Sequence, residues 1–302
     1  MSFEKHPAFR PAPSKDSTLW RFMTLPKYLS MLNNRKVYFC NLEKIAQDDP
    51  FEGTLPTSAF KHRTWKSIED LPVALRGGKI GDRDNNAYIQ YLKKSADLKI
   101  RQAYAYRKSY FINCWYLNEY DSPAMWNVFS DKREGIAIRS SEARFEKAFS
   151  GAEQLVMGGK IEYGDFFDEN FVIDDGNAFL PVLHKRKDFS YENEYRLVHW
   201  DTTIVSKKVK SKNGYFILEE ATIPDRTVTG IMNVSRSVDE LENQKIIDSI
   251  EIQCDINELI EDIVVSPLAN DMFFKVVEDI SKDKYGLKAP VLKSKLLSES
   301  LI

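Results

Sequence analysis

Short apolar runs alternate with polar punctuation along this chain, and no single period governs it. Residues 18–22 are apolar at most positions, which predicts a strand. Pro26 then opens a short helix over 27–33, with Tyr28, Leu29 and Leu32 on one face. Residues 36–41, rich in Val, Tyr and Phe, predict a second strand. Helical spacing of Tyr88, Leu92, Leu98 and Ala103 predicts a long helix over 86–108. The run 109–117 is apolar nearly throughout and reads as a central strand. Ser122-Pro123 has the signature of a helix start. Further strands are expected at 135–139, 159–163, 195–200, 214–223, 263–265 and 291–297. An amphipathic helix is expected at 271–282, burying Phe274, Val277 and Ile280.

Strands and helices mix without a regular βαβα alternation. That favours an α+β fold: a mixed, mostly antiparallel sheet core with flanking helices. Residues 1–17 hold Pro7, Pro11 and Pro13 with little periodicity, and are expected to form an N-terminal tail. Residues 18–302 are expected to form a single α+β domain. No internal repeat or heptad run interrupts it.

Composition narrows the function. The 302 residues are 43% hydrophobic and 29% charged, enough for a sizeable core. Lys+Arg 43 against Asp+Glu 45 leaves a net charge of -2, so no global field recruits nucleic acid or an anionic membrane. Local basic runs remain at Lys185-Arg186-Lys187 and at Lys207, Lys208, Lys210 and Lys212. Cys40, Cys114 and Cys254 are odd in number and far apart, which points to reduced thiols and a cytoplasmic protein. No apolar stretch is long enough to span a bilayer, so no membrane partner is expected.

The familiar catalytic signatures are missing. There is no glycine-rich phosphate loop and no Gly-x-Ser-x-Gly elbow. His6, His62, His184 and His199 lack zinc-ligand spacing, and no metal is expected. What remains is charge inside apolar surroundings. Glu192-Asn193-Glu194 opens the apolar segment that contains Tyr195 and Arg196. On an extended backbone its two carboxylates share a face, and each raises the pKa of the other. The plainer reading is a salt-bridge cluster with Lys185, Arg186 and Lys187. Arg21 lies within Leu19-Trp20-Arg21-Phe22 and calls for an acidic or phosphate partner; Asp49, Glu52 or Glu194 would serve as a structural one. Asp48, Asp49 and Glu52 crowd one loop, a weak basis for a metal-dependent nuclease. Trp115, Trp126 and Phe129 are expected in the core, with one of them free to line a pocket.

Taken in order, Leu19-Trp20-Arg21-Phe22, Val37-Tyr38-Phe39, Asp49-Pro50-Phe51-Glu52, Cys114-Trp115, Met125-Trp126, Gly135 and Glu192-x-Glu194-Tyr195-Arg196-Leu197 resemble the bacterial domain-of-unknown-function family 2971. The resemblance runs from about residue 18 to 297. It departs at Asp48, where that family usually has Asn, and at Phe129, where Tyr is common. The family carries no established chemistry.

More distantly, the layout of Arg21 followed by Glu192-x-Glu194 is similar to that of the ADP-ribosyltransferase superfamily. The likeness implies NAD as substrate. Arg21 would be the phosphate clamp and Glu194 the catalytic carboxylate, with Glu192 orienting or deprotonating an acceptor. It also implies a cofactor pocket formed around Arg21 by Trp20, Tyr38, Cys114 and Trp126, with Asp49, Glu52 and Arg196 nearby. The Ser-Thr-Ser segment of that superfamily is replaced here by Asn113-Cys114-Trp115. The setting expected is a bacterial toxin or phage-defence effector, with a macromolecular acceptor and an antitoxin or other regulatory partner. The alternatives are a non-catalytic nucleotide- or nucleic-acid-binding module and, less favoured, the nuclease.

Overall fold

A computed structural model describes residues 2–76, 84–173, 176–218, 221–227 and 229–297. The strands, in chain order, are β1 (Phe3–Glu4), β2 (Leu19–Thr24), β3 (Lys36–Asn41), β4 (Tyr110–Leu117), β5 (Gly135–Ser140), β6 (Val156–Lys160), β7 (Glu162–Gly164) and β8 (His184–Arg186). They continue with β9 (Glu194–Trp200), β10 (Ser206–Lys210), β11 (Tyr215–Ile217), β12 (Thr222–Pro224), β13 (Ile231–Ser235), β14 (Ser249–Gln253), β15 (Ile263–Val265) and β16 (Val291–Lys293). The fold is α+β. Ten strands make one mixed sheet in the order β1-β6-β9-β4-β2-β5-β15-β16, with β3 and β14 branching from β4. The β1–β6 and β15–β16 pairs are parallel, and the other pairs in this sheet are antiparallel.

Alternation along the central strands sorts the core. Phe111, Trp115 and Leu117 of β4 join Tyr195 and Leu197 of β9 in the main cluster. Tyr110 and Ile112 join Val198 in a second cluster on the opposite face. By the same alternation Cys114, Glu194 and Arg196 belong to that second face. The β4–β9 register brings Cys114 opposite Arg196 and Tyr116 opposite Glu194.

The sheet forks at β4. One edge of β4 pairs with β3 at Phe111 and Ile112, and with β2 at Tyr116 and Leu117. Among the described residues, 113–115 have no strand partner on that edge. The helix Leu25–Asn34 separates β2 from β3 and burys Tyr28, Met31 and Leu32. It ends where Arg35 adopts φ 50° and the chain turns back into β3.

Three expectations need correcting. Residues 2–17 are docked rather than trailing: Phe3, Phe9 and Ala12 are buried, β1 extends the sheet, and Ala12 N–H donates to Glu142. Buried aromatic anchors outweigh the proline content there. Phe129 is 43% exposed, whereas Trp115 and Trp126 are buried. The stretch expected as one strand over 214–223 is a hairpin, β11 against β12. No helix among the described residues is long and apolar enough to cross a membrane.

Candidate functional site

Two groups of charged side chains flank Cys114. The first is a clasp built on Arg196. Its Nε and Nη2 donate to the two carboxylate oxygens of Glu194 at 2.7 and 2.9 Å. Its Nη1 donates to Glu52 Oε1 and to the Val182 carbonyl, both at 2.7 Å. The two side chains of the Glu194–Arg196 pair are 3% and 1% exposed. Lys185 Nζ completes the clasp, 2.5 Å from Glu192, 3.5 Å from Glu52 and 3.6 Å from Glu194. Beside it Arg186 donates to Asp49 at 2.9 Å and lies over the rings of Phe51 and Phe189.

Local chain geometry makes this convergence possible. Glu192 ends a 3-10 turn, Asn193 stands at φ 33°, and Glu194 begins β9. Asn tolerates this left-handed conformation better than most residues. Asn193 Nδ2 also donates to the Leu117 carbonyl, and its backbone N–H to Ser190 O. The two glutamates therefore do not lie on one extended strand, as expected from sequence. They meet at Lys185 because the backbone turns between them. On the other side of the clasp, Gly53 at φ 66° redirects the chain after Glu52; a Cβ there would lie 2.5 Å from Leu42 Cδ2.

The electrostatics differ between neighbours. Burial pushes the Glu194 carboxyl up, but Arg196 and Lys185 overrule it and hold its pKa at about 2. Burial works to lower Lys185, yet Glu194, Glu52 and Glu192 carry it above the usual lysine range. For Glu192 burial wins over Lys185, helped by the Glu194 charge, so its carboxyl sits above its ordinary pKa. The imbalance has a simple source: among the described residues the ion pairs of Glu52, Glu192 and Glu194 are shared between two cations, Lys185 and Arg196. Glu192, with a side chain 12% exposed, is the most open of the three carboxylates. Burial raises the Cys114 thiol well above its usual range, so it stays protonated against Glu194.

The second place is the fork. Arg21 Nη1 donates to the Cys114 carbonyl at 2.8 Å, filling the unpaired edge of β4. Asn113 Nδ2 donates across the opening to Tyr38 O at 2.7 Å, and Asn113 Oδ1 accepts from Trp115 Nε1 at 2.6 Å. Among the described residues Arg21 has no ion pair. Burial lowers its pKa, and the charge of Glu194 acts on it from the clasp. Tyr38, 48% exposed, also acts on Arg21 from the β3 side.

Arg21, Tyr38 and Cys114 thus meet at the fork, and Glu192, Glu194, Arg196, Glu52 and Asp49 meet at or beside the clasp. Trp20 and Trp126 do not join them. Both are buried in a separate cluster with Phe22 and Met125. Their ring N–H groups donate to Asn118 O and Asp121 Oδ2, and Trp126 lines a separate cavity of about 230 Å³ with Pro123, Ser266 and Leu296. Asp48 is exposed while Asp49 and Glu52 face arginines, so the three carboxylates do not converge on a metal. Among the described residues no group of three His, Cys, Asp or Glu side chains is placed to hold one. Sequence reading missed the part played by Asn113; its signal was one amide in an otherwise apolar strand. A cavity of about 250 Å³ lined by Tyr106, Tyr110 and Trp200 lies elsewhere, touching the clasp only through Gly53 and Val182.

No protein-family model, curated protein or solved structure matches this chain.

Proposed function

We propose that the protein binds a phosphate-bearing nucleotide at the fork and cleaves its N-glycosidic bond, in the manner of an NAD-dependent ADP-ribosyltransferase. The observation that carries this reading is Arg21. A guanidinium has five N–H donors, and among the described residues Arg21 forms one side-chain hydrogen bond, to a carbonyl. Arg21 is half-buried and has no carboxylate partner among the described residues, and a phosphate would supply that counter-charge with bidentate geometry.

The clasp supplies the second half of the chemistry. Loss of nicotinamide from NAD builds an oxocarbenium-like cation, which a fixed carboxylate stabilises. Both oxygens of Glu194 are held by Arg196, so its part is a permanent negative charge beneath the site. Glu192 is the carboxylate we assign to contact the reacting sugar or the acceptor, because it is the more open and the more readily protonated.

The test is nicotinamide release from NAD by the pure protein, with and without cell extract. Wild type is expected to release it, and Glu192→Gln or Arg21→Ala to slow release by about 100-fold or more. No release under any condition rejects the enzyme reading. The saturated Glu194–Arg196 pair favours one alternative, a non-catalytic nucleotide-binding module. In that case ADP-ribose binds, NAD is not consumed, and Glu192→Gln has no effect on binding.

A further inference from the structure

The two basic runs have opposite fates. Lys185 and Arg186 are absorbed into the clasp, and Lys187 pairs with Asp165 at 2.6 Å. The second run lies on a two-stranded ribbon, β10 against β13. Alternation divides that ribbon cleanly. Lys207, Val209, Met232 and Val234 are half-buried, and Lys207 pairs with Glu240 at 2.6 Å. Lys208 and Lys210, with their cross-strand neighbours Asn233 and Ile231, are exposed on the opposite face. Lys212 is exposed just beyond, facing Tyr215 across the Asn213-Gly214 turn. That turn has φ 52° and 74°, as a two-residue hairpin requires.

We propose that this outer face of the ribbon binds single-stranded nucleic acid. Among the described residues Lys208, Lys210 and Lys212 have no ion pair. The nearby carboxylate of Asp225 is already bonded to the Thr227 N–H and hydroxyl. Same-face residues of a strand repeat every ~7 Å, so Lys208 and Lys210 are spaced along β10, and Lys212 follows beyond its end, a row rather than a cluster. A row suits a polymer with evenly spaced anions better than a single phosphate. Tyr215, 48% exposed at the turn, offers an aromatic face on which a base can stack. The chain as a whole is slightly acidic, so this attraction is local to the ribbon. The inference does not rest on the chemistry at the fork; an enzyme and a binding module would use the ribbon alike.

The experiment is fluorescence anisotropy with a labelled single-stranded 20-nucleotide RNA of mixed sequence, titrated at several salt concentrations. Wild type is expected to bind, with affinity falling steeply as salt rises. Changing Lys208, Lys210 and Lys212 together to Glu should weaken binding at least tenfold. Changing the three to Gln should lower the salt slope by about 2. Tyr215→Ala should weaken binding several-fold and leave the slope unchanged. Lys27→Glu with Lys288→Glu, on other elements, should bind as wild type. An unchanged melting temperature in each variant separates lost contact from lost folding. Three outcomes overturn the proposal: no binding by wild type at low salt, unchanged binding by both triple variants, or binding to anionic vesicles with none to the oligonucleotide.

Discussion

Arg196 and Arg21 are both arginines inside apolar strands, and the fold treats them differently. Arg196 makes four hydrogen bonds, three of them to carboxylate oxygens, and its pKa is raised well above the usual range despite burial. Among the described residues Arg21 makes one, to a carbonyl, and burial lowers its pKa. Only the Cys114 segment separates them. A saturated arginine is a fastener: Arg196 ties β9 to the loop at Glu52, residues far apart in the chain. The unsaturated one beside it is the receptor we propose. The difference teaches that burial of a cation does not by itself mark a site; what matters is whether its donors already have acceptors.

The sharpest way to break this comparison is to remove each arginine in turn. Arg196→Ala leaves Glu194 and Glu52 buried without their main counter-charge. It should cost about 3–5 kcal/mol of stability, read as a shift in the urea midpoint. Arg21→Ala removes one hydrogen bond and should cost only about 1 kcal/mol in the same titration. Equal losses would mean that both arginines are fasteners.

Acid tests the clasp from the carboxylate side. The folded pKa of Glu194, about 2, lies below its ordinary value, so its contribution to stability is fully present above pH ~4.5. It is lost as pH falls from there toward 2. The loss is roughly 3 kcal/mol at most, and Glu194→Gln should flatten the acid limb of the stability curve. Glu192, shifted upward, acts in the opposite sense: it favours the fold below its unfolded pKa and loses that contribution as pH rises through its folded value. Glu192→Gln should therefore leave stability unchanged or improved on the alkaline side of that titration, measured by the same denaturation.

A more local effect concerns the turn that brings the two glutamates together. Asn193→Ala puts a residue that tolerates φ 33° less well than Asn at this turn and removes the bond to Leu117, and should cost about 1–2 kcal/mol. Asn193→Gly keeps the backbone geometry and should cost less. If Ala is tolerated as well as Gly, the left-handed turn does not position Glu192.

Much of the scaffold was legible in the sequence. The entry β2–helix–β3, the central strand β4 and the strand β9 fall close to their expected positions, because each is a compact run of β-branched or aromatic residues between clear breaks. The docked N-terminal segment was not legible. Its two-residue strand has no local signal and exists because Phe3 finds a place beside Val156. Strand β10 was hidden by its lysines, since its alternation of Lys and Val reads first as a charge run. At the site, Arg21 and Glu194 stood out as charges in apolar segments. Their difference in partners did not, because it depends on contacts such as Glu52 to Arg196 that only the fold creates. Trp20 and Trp126 were expected beside Arg21, but they pack with Phe22 and Met125 and donate their ring N–H groups to Asn118 and Asp121.

The measurement that bears most directly on the receptor at the fork is calorimetric titration with ADP-ribose, which carries the phosphates and lacks the scissile bond. Wild type should bind, and Arg21→Ala should bind at least tenfold more weakly, a change of about 1.4 kcal/mol, while melting close to wild type. No binding by wild type at millimolar ligand, or equal binding by the folded Arg21→Ala protein, would contradict the assignment of Arg21 as the anion receptor.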